Sequence, residues 1–252
     1  MPTTTGSPVS TNGNGAPRGV IVAVDYHTPL LPTVEVAIAL AVARRLAVHG
    51  LCIEDPDLAI VSRLPFTQEV TLLEAKPRAL EEQHLRRTQA GFTRRFRQLL
   101  SERAEQAALD CSFGSVHGTQ QAMEFGGSPH SDYLVLGQRR PAREQGRSTL
   151  RVLLLCADIA PVLPVLKAIS SDGGRPLELM LLSTAGEVQS GKRLEQFVAE
   201  QRVVSLQRLV PGQLEQIFRT GAHQPDLVVA SRGSDPAVLD RVLKLAACPV
   251  IL

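Results

Sequence analysis

The chain has 252 residues, of which 44% are hydrophobic and 21% are charged, and its 27 basic and 25 acidic residues leave a net charge of +2. These values are typical of a globular chain long enough for one large domain or two small ones. A near-neutral chain has no global positive field, and no apolar stretch approaches the roughly 20 residues of a membrane span, so we expect neither a nucleic-acid nor a membrane partner.

The N-terminal residues 1–17 are rich in Thr, Ser, Gly, Asn and Pro. This composition is typical of a disordered tail, and it lacks the apolar segment of a secretory signal peptide. We therefore expect a cytoplasmic protein. The four cysteines are widely spaced and show no zinc-binding pattern, so the sequence favours buried thiols and no metal.

Residues 18–138 are predicted to form a first α/β domain that begins with the strand Gly19–Asp25, an apolar run ending in an acid. Alanines and aliphatic residues at helical spacing predict a helix over Thr33–His49, with Thr33 as its N-cap and Gly50 as its stop. The further predicted elements are the strand Leu51–Ile53, the helix Arg78–Leu109, the strand Cys111–Val116, the helix Thr119–Phe125 and the strand Asp132–Gly137. Strands joined through helices predict parallel pairing.

A polar, basic stretch, residues 139–149, is interpreted as a linker to a second domain, residues 150–252. The strands predicted there are Val152–Ala157, Leu177–Ser183, Val203–Leu209, Leu227–Ala230 and Cys248–Leu252. The helices predicted there are Pro161–Ser170, Lys192–Gln201, Gln213–Thr220 and Pro236–Ala246. Strands that alternate with helices are typical of a doubly wound parallel sheet.

The two predicted domains repeat one design. Arg151–Asp158 repeats the apolar strand and terminal acid of Gly19–Asp25, and Gln224–Ala230 repeats the Asp-plus-apolar run of Ser131–Gly137. Internal repetition of this kind predicts two copies of one α/β unit.

The predicted helix Arg78–Leu109 is long and rich in arginine. Six arginines lie around and beside its apolar stripe, with acids interleaved: Arg86, Arg87, Arg94, Arg95, Arg97 and Arg103. Two interpretations stay open, a solvated helix face and a basic docking face for a protein or phosphate-bearing partner.

Two histidines are candidate site residues. His27 follows Asp25 by two positions, and His117 comes just after the third strand, so both are expected at the carboxyl edge of the sheet, where open α/β sheets bind ligands. A His–Asp–His site for a metal or for general-base work and a pair of polar loop histidines beside a crevice both fit this placement. The second interpretation is favoured, and no metal is expected.

The sequence carries no catalytic signature. It has no GxSxG, HExxH or Walker-type GxxxxGK[ST] motif. The Ser, His and Asp within residues 128–132 are adjacent on one loop, where they are unable to form a nucleophile–base–orienter relay. We therefore expect no enzymatic activity.

Short motifs in both halves resemble one known family. They are Ile21–Asp25 with an alanine-rich helix ending in His49-Gly50-Leu51, then Asp132–Gly137, Pro225–Gly233 and Ala247–Leu252. In this order and spacing the chain resembles the universal stress protein family in its tandem form. The resemblance implies two tandem doubly wound parallel α/β sandwich units, Rossmann-like and similar to the adenine-nucleotide alpha hydrolases, packed as a pseudo-dimer. It also implies a homodimer, which in the family often forms through the last strand.

The same resemblance implies an ATP or AMP site. In the family the acid that ends the first strand contacts adenine or ribose, which corresponds to Asp25 and Asp158 here. The phosphates lie on a glycine-rich turn, G-x-x-G with a later G-[S/T], where backbone N–H groups approach the ligand. Gly137 and Gly233 correspond to glycines of that turn.

The glycine-rich turn is incomplete in both halves. Gln138, Arg139 and Arg140 follow Gly137 where the second glycine is expected, and Ala230 replaces the first glycine of the second half. A degenerate site made of Asp25, Gly137 and the Arg139/Arg140 pair is one prediction.

The function predicted is that of a stress-response or regulatory protein with weak or altered adenine-nucleotide binding and no catalysis. The alternative is a ligand-free pseudo-dimeric interaction module that docks a protein partner.

Overall fold

The chain is an α/β protein built around one large, mostly parallel sheet. The computed structural model describes residues 19–54, 60–61, 64, 67–70, 77–79, 82–117, 132–137, 148–171, 175–182, 191–219, 224–231 and 233–252. Its strands are β1 (Gly19–Asp25), β2 (Ala47–Glu54), β3 (Gln68–Val70), β4 (Pro77–Ala79), β5 (Cys111–His117), β6 (Tyr133–Leu136), β7 (Leu150–Leu155), β8 (Leu177–Leu182), β9 (Val203–Leu209), β10 (Leu227–Ala230) and β11 (Val250–Ile251). Its helices are α1 (Leu30–Arg44), α2 (Glu82–Gln106), α3 (Leu163–Ser171), α4 (Gly191–Glu200), α5 (Leu214–Arg219) and α6 (Pro236–Leu245).

Nine of the described strands form the large sheet, in the order β5-β2-β1-β6-β11-β10-β7-β8-β9. Neighbouring strands are parallel, as the sequence predicts, except that β6 and β11 are antiparallel. In the first half β1 lies between β2 and β6, and in the second half β7 lies between β8 and β10. The halves therefore share one strand order and join edge to edge through β6 and β11.

The last strand lies inside the sheet. Val250 and Ile251 pair with Val228 and Val229 of β10 on one side and with β6 on the other. The antiparallel join extends further, because Leu252 exchanges backbone hydrogen bonds of 2.9 and 3.0 Å with Leu134. Since both edges of β11 are paired, dimerisation through this strand, which the family resemblance implies, has no free edge to use.

Both faces of the central strands are buried in apolar layers, whereas most residues of the edge strand β9 are exposed. Successive residues of a strand point to opposite faces. In β1, Val20, Val22 and Val24 belong to the same apolar layer as residues of α1, α2, α3 and α4, whereas Ala23 belongs to the layer on the other face. That second layer includes α5 and α6. Burial on both faces is the reason that these strands are continuous apolar runs rather than alternating ones.

The helix predicted over Thr33–His49 is wrong at its C-terminal end. The helix α1 ends at Arg44 because Arg45 adopts the left-handed conformation (φ 54°, ψ 49°) and Leu46 donates a hydrogen bond back to the carbonyl of Ala41 at 3.0 Å. His49 is therefore a residue of strand β2, and Gly50 is not the stop.

The bounds of two further predicted features also differ. Thr33 lies inside α1, where its hydroxyl donates to the carbonyl of Pro29, so it is not the N-cap. The long helix predicted over Arg78–Leu109 is α2, and it is shorter at both ends. On the N-terminal side Arg78 pairs with Glu69 in the antiparallel β3–β4 pair, and on the C-terminal side Ala108 has a positive φ of 53°.

Some predictions fall outside the described residues: the tail 1–17, the helix Thr119–Phe125 and most of the linker 139–149. Among the helices that the structure describes, none has the length and apolar character needed to cross a bilayer.

Candidate functional site

The strand order places two candidate ligand crevices at the carboxyl edge of the sheet. In each half the first strand has neighbours on both sides, and an open α/β sheet binds ligands outside the strand ends where the chain reverses its winding direction. The first crevice lies between the ends of β1 and β6, and the second lies between the ends of β7 and β10.

The first crevice is closed by a tight turn after β1. Asp25 is only 5% exposed, and its Oδ1 accepts hydrogen bonds from the Thr28 hydroxyl at 2.8 Å and the His27 backbone N–H at 3.0 Å. The Thr28 Oγ1 in turn accepts from the Asp25 N–H at 3.1 Å, and the Thr28 N–H donates to the Asp25 carbonyl. One carboxylate oxygen of Asp25 thus stabilises the turn that follows the strand.

Thr28 occupies the space beside Gly137. The Gly137 N–H donates to the Ala23 carbonyl at 2.9 Å, which holds the end of β6 against β1. A Cβ on Gly137 would lie 2.1 Å from Cγ2 of Thr28. The turn that contains Asp25 and Thr28 therefore lies next to Gly137, with the buried methyl group of Thr28 against the glycine.

The histidines predicted for this crevice are not adjacent. His27 is exposed and its ring contacts Tyr26 edge-on, at 5.0 Å between centroids. His117 pairs with Glu54 at the far end of β5, and β2 lies between β5 and β1, which places the two strands about 10 Å apart. The side chain of His117 and the whole of Arg139 and Arg140 lie outside the described residues.

The second crevice is more open. Asp158 is partly exposed just beyond β7, and its Oδ1 accepts from the Ala160 N–H at 3.0 Å. The loop after β10 is held to the end of β7, since the Ser231 N–H and the Ser234 hydroxyl both donate to the carbonyl of Leu155. Asp158 and the loop after β10 are thereby positioned on neighbouring strand ends.

Gly233 lies in this loop with its backbone exposed. None of the described residues approaches within 4 Å of the position of a Cβ on Gly233. The helix α6 begins directly afterwards, and the carboxylate of Asp235 caps it by accepting from the Ala237 N–H at 2.9 Å. A negative charge therefore already occupies the N-terminus of α6, where a phosphate would otherwise be favoured.

The carboxylates of Asp158 and Asp25 contribute to the raised pKa values of two neighbouring thiols, Cys156 and Cys52. Burial, with a further contribution from the carboxylate of Asp158, raises the pKa of Cys156 to about 11. Burial also raises the pKa of Cys52, and the carboxylates of Glu54 and Asp25 add to this against a hydrogen bond from Thr93. Both thiols are neutral at physiological pH, as expected of core cysteines.

No group of three or more His, Cys, Asp or Glu side chains able to hold a metal occurs in the part of the chain that the structure describes. A groove of about 560 Å³ lies away from the strand ends, between α1, α2 and α3. Its walls include Glu35 on α1, Arg103 on α2 and Ala168 on α3. Its lining includes no residue of either crevice.

Sequence reasoning missed two polar residues that shape the crevices. Thr28 lies three positions after Asp25, and that spacing is typical of a side-chain-closed turn. Ser234 precedes Asp235 and Pro236, a pattern that marks a helix start. Both signals were present, but they indicate only a turn or a cap and not which neighbouring strand the side chain contacts.

Comparison with known proteins gives a likeness of structure only. No protein-family model matches the chain, and no curated protein matches it. Among solved structures, the chain is similar to a universal stress protein from Archaeoglobus fulgidus DSM 4304, with 10% sequence identity, a TM-score of 0.47, and coverage of 92% of this chain and 94% of that chain. The α/β fold of the chain is established by the order and direction of its own strands.

Proposed function

We propose that the chain is a non-catalytic, cytoplasmic regulatory protein of the universal stress type that binds an adenine nucleotide weakly, and that its halves are tandem copies of one unit. The motifs shared with that family support this, as does the strand order common to both halves. The observation that carries nucleotide binding is the second crevice, where Asp158 stands at one strand end and the exposed backbone of Gly233 at the next.

The expected affinity is low for a physical reason. The glycine backbone can approach a phosphate closely. The carboxylate of Asp235 caps the neighbouring helix, however, and its negative charge repels the phosphate. A hydrogen bond from a ribose hydroxyl to the carboxylate of Asp158 then contributes most of the specificity, since a bond to a charged group is worth about 1.5–3 kcal/mol. In the first crevice, binding would require Thr28 to move away from Gly137.

Calorimetric titration with ATP, ADP and AMP at millimolar concentration tests the proposal. Two variants form a matched pair, Asp158→Asn and Asp25→Asn, because each removes one charge and keeps the oxygen that accepts the turn hydrogen bond. We expect D158N to weaken binding about tenfold or more and D25N to change it less than twofold.

Absence of heat with all three nucleotides would refute nucleotide binding. Loss of binding in D25N but not in D158N would assign the ligand to the first crevice instead. Turnover of ATP above a buffer blank would contradict the proposal that the chain is not an enzyme.

A further inference from the structure

The outer face of α2 is unusually basic. From residue 83 to residue 101 the helix has no Asp or Glu, and it has five exposed arginines: Arg86, Arg87, Arg94, Arg95 and Arg97. The opposite side is apolar and buried, and it includes Leu85, Phe96 and Leu100. The helix therefore separates an apolar face from an exposed face that carries five arginines and, between residues 83 and 101, no acid.

Three of these arginines define what we name the arginine face: Arg87, Arg94 and Arg95. The other two have partners, because Arg86 forms an ion pair of 2.6 Å with Glu82 and Arg97 stacks over the ring of Phe113 at 4.7 Å. Among the residues that the structure describes, no carboxylate forms an ion pair with a member of the arginine face.

The spacing of the arginine face suits an extended anionic partner. Arg87 and Arg94 are seven residues apart, which is two helical turns or about 10.5 Å along the axis. Arg95 lies within a third of a turn of Arg94. The basic stretch ends near the last turn of α2, where the exposed acids Glu102 and Glu105 follow.

The chemistry of α2 discriminates among anionic partners. Its two aromatic residues face inward, where Phe92 contacts Tyr26 and Phe96 contacts Phe113, so neither is presented for stacking on nucleic-acid bases. No large apolar side chain of the described α2 residues is exposed, so the helix has nothing to insert into a lipid layer. The planar guanidinium groups of this face are suited to paired recognition of carboxylates.

We propose that the arginine face binds an acidic segment of a partner protein. This inference does not depend on nucleotide binding, because Arg87, Arg94 and Arg95 belong to neither crevice.

The test measures binding of a fluorescein-labelled peptide of 20 glutamates by anisotropy at about 0.1 M salt, where charges more than about 10 Å apart are screened. The test variant replaces the arginine face: Arg87→Gln, Arg94→Gln and Arg95→Gln. The control variant makes the same change in net charge at three exposed arginines of the second half: Arg175→Gln, Arg193→Gln and Arg208→Gln.

We expect the test variant to bind the peptide about tenfold more weakly than the unaltered chain, and the control variant to differ less than twofold. Equal losses in the two variants would overturn the proposal, because they would show a response to net charge alone. Absence of peptide binding at millimolar concentration would also overturn it.

Two further probes identify the partner class. Tighter binding of a 20-nucleotide single-stranded DNA, or of phosphatidylserine vesicles, through the same three arginines would overturn the choice of an acidic protein. An unchanged Tm of the test variant confirms that it is folded. Nucleotide titration of the same variant separates the two proposals, since loss of peptide binding with retained nucleotide binding is the expected combination.

Discussion

Replacement of Gly137 by alanine tests whether Thr28 closes the first crevice in solution. The added Cβ would lie 2.1 Å from Cγ2 of Thr28 and 3.2 Å from its Cβ and Oγ1. Carbon atoms in favourable contact are about 3.5–4.0 Å apart, so the methyl must move or the strand end must shift. Gly137 does not have a positive φ that would strain an alanine, so the expected cost arises from this overlap.

The size of the effect follows from the burial of Thr28, which is 4% exposed. Overpacking a buried site costs about 1–3 kcal/mol. For a chain of this length about 1 kcal/mol lowers the Tm by roughly 2–4 °C, so G137A should lower the Tm by about 2–12 °C. The matched control is Gly212→Ala, because the described residues leave open space around that position, and we expect a change within about 0.5 kcal/mol.

A second substitution removes the obstructing methyl group. Thr28→Ser deletes Cγ2 but keeps the hydroxyl that donates to Asp25, at a cost of about 1 kcal/mol. In the double variant, Thr28→Ser with Gly137→Ala, the contacts that remain are those at 3.2 Å. The double variant should therefore be more stable than the sum of the two single losses by about 1–2 kcal/mol, measured by denaturant and thermal unfolding. Strictly additive losses would refute this account of the crevice.

Three other predictions concern the sheet. Glu178→Gln should destabilise the chain by about 1–2 kcal/mol in denaturant unfolding. The reason is that Glu178 accepts a hydrogen bond from Arg151 at 2.5 Å between β7 and β8, and both side chains are at least three-quarters buried. Full stability in E178Q would contradict this. Cys111 is the exposed cysteine, so it should react first with a thiol reagent. Its reaction rate should keep rising with pH, because partial burial of the sulfur raises the pKa of Cys111 and the thiolate is the nucleophile. Rapid labelling of C111S would count against this. Burial lowers the pKa of His49 from its usual 6.5, so the unfolded chain binds the proton more readily and the stability of the fold falls as the pH drops below 6.5. His49→Asn should therefore reduce the loss of Tm between about pH 7 and 5. An unchanged loss of Tm would exclude His49 as a cause.

Much of the secondary structure could be predicted from local sequence. The strands Val203–Leu209 and Leu227–Ala230 agree with the prediction residue for residue. Leu227–Ala230 is an apolar run, and Val203–Leu209, which mixes Val and Leu with polar residues, ends just before Pro211-Gly212. The end of α1 could not be predicted this way. Its stop is Arg45 in a left-handed conformation, and an arginine carries no local signal for that geometry.

The candidate site was predicted only in part. The family resemblance names Asp25, Asp158, Gly137 and Gly233, and in the structure the first of these residues ends β1 and the others follow β7, β6 and β10. The difference between a closed and an open crevice did not follow from the motifs. It depends on whether a side chain such as Thr28 points into the neighbouring strand end, which is a contact between residues far apart in sequence.

The α/β class, the parallel direction of most strands and the acid at the end of the first strand in each half follow from local sequence, because these features depend on apolar runs, helical spacing and turn residues within short windows. The folded structure was needed to show that the halves share one sheet, with β11 antiparallel to β6 and paired on both edges. Only it decided which arginines of α2 already have partners and which crevice is filled by Thr28. The physical reason is that strand register and side-chain contact across a sheet are set by the packing of distant segments, which leaves no trace in any one of them.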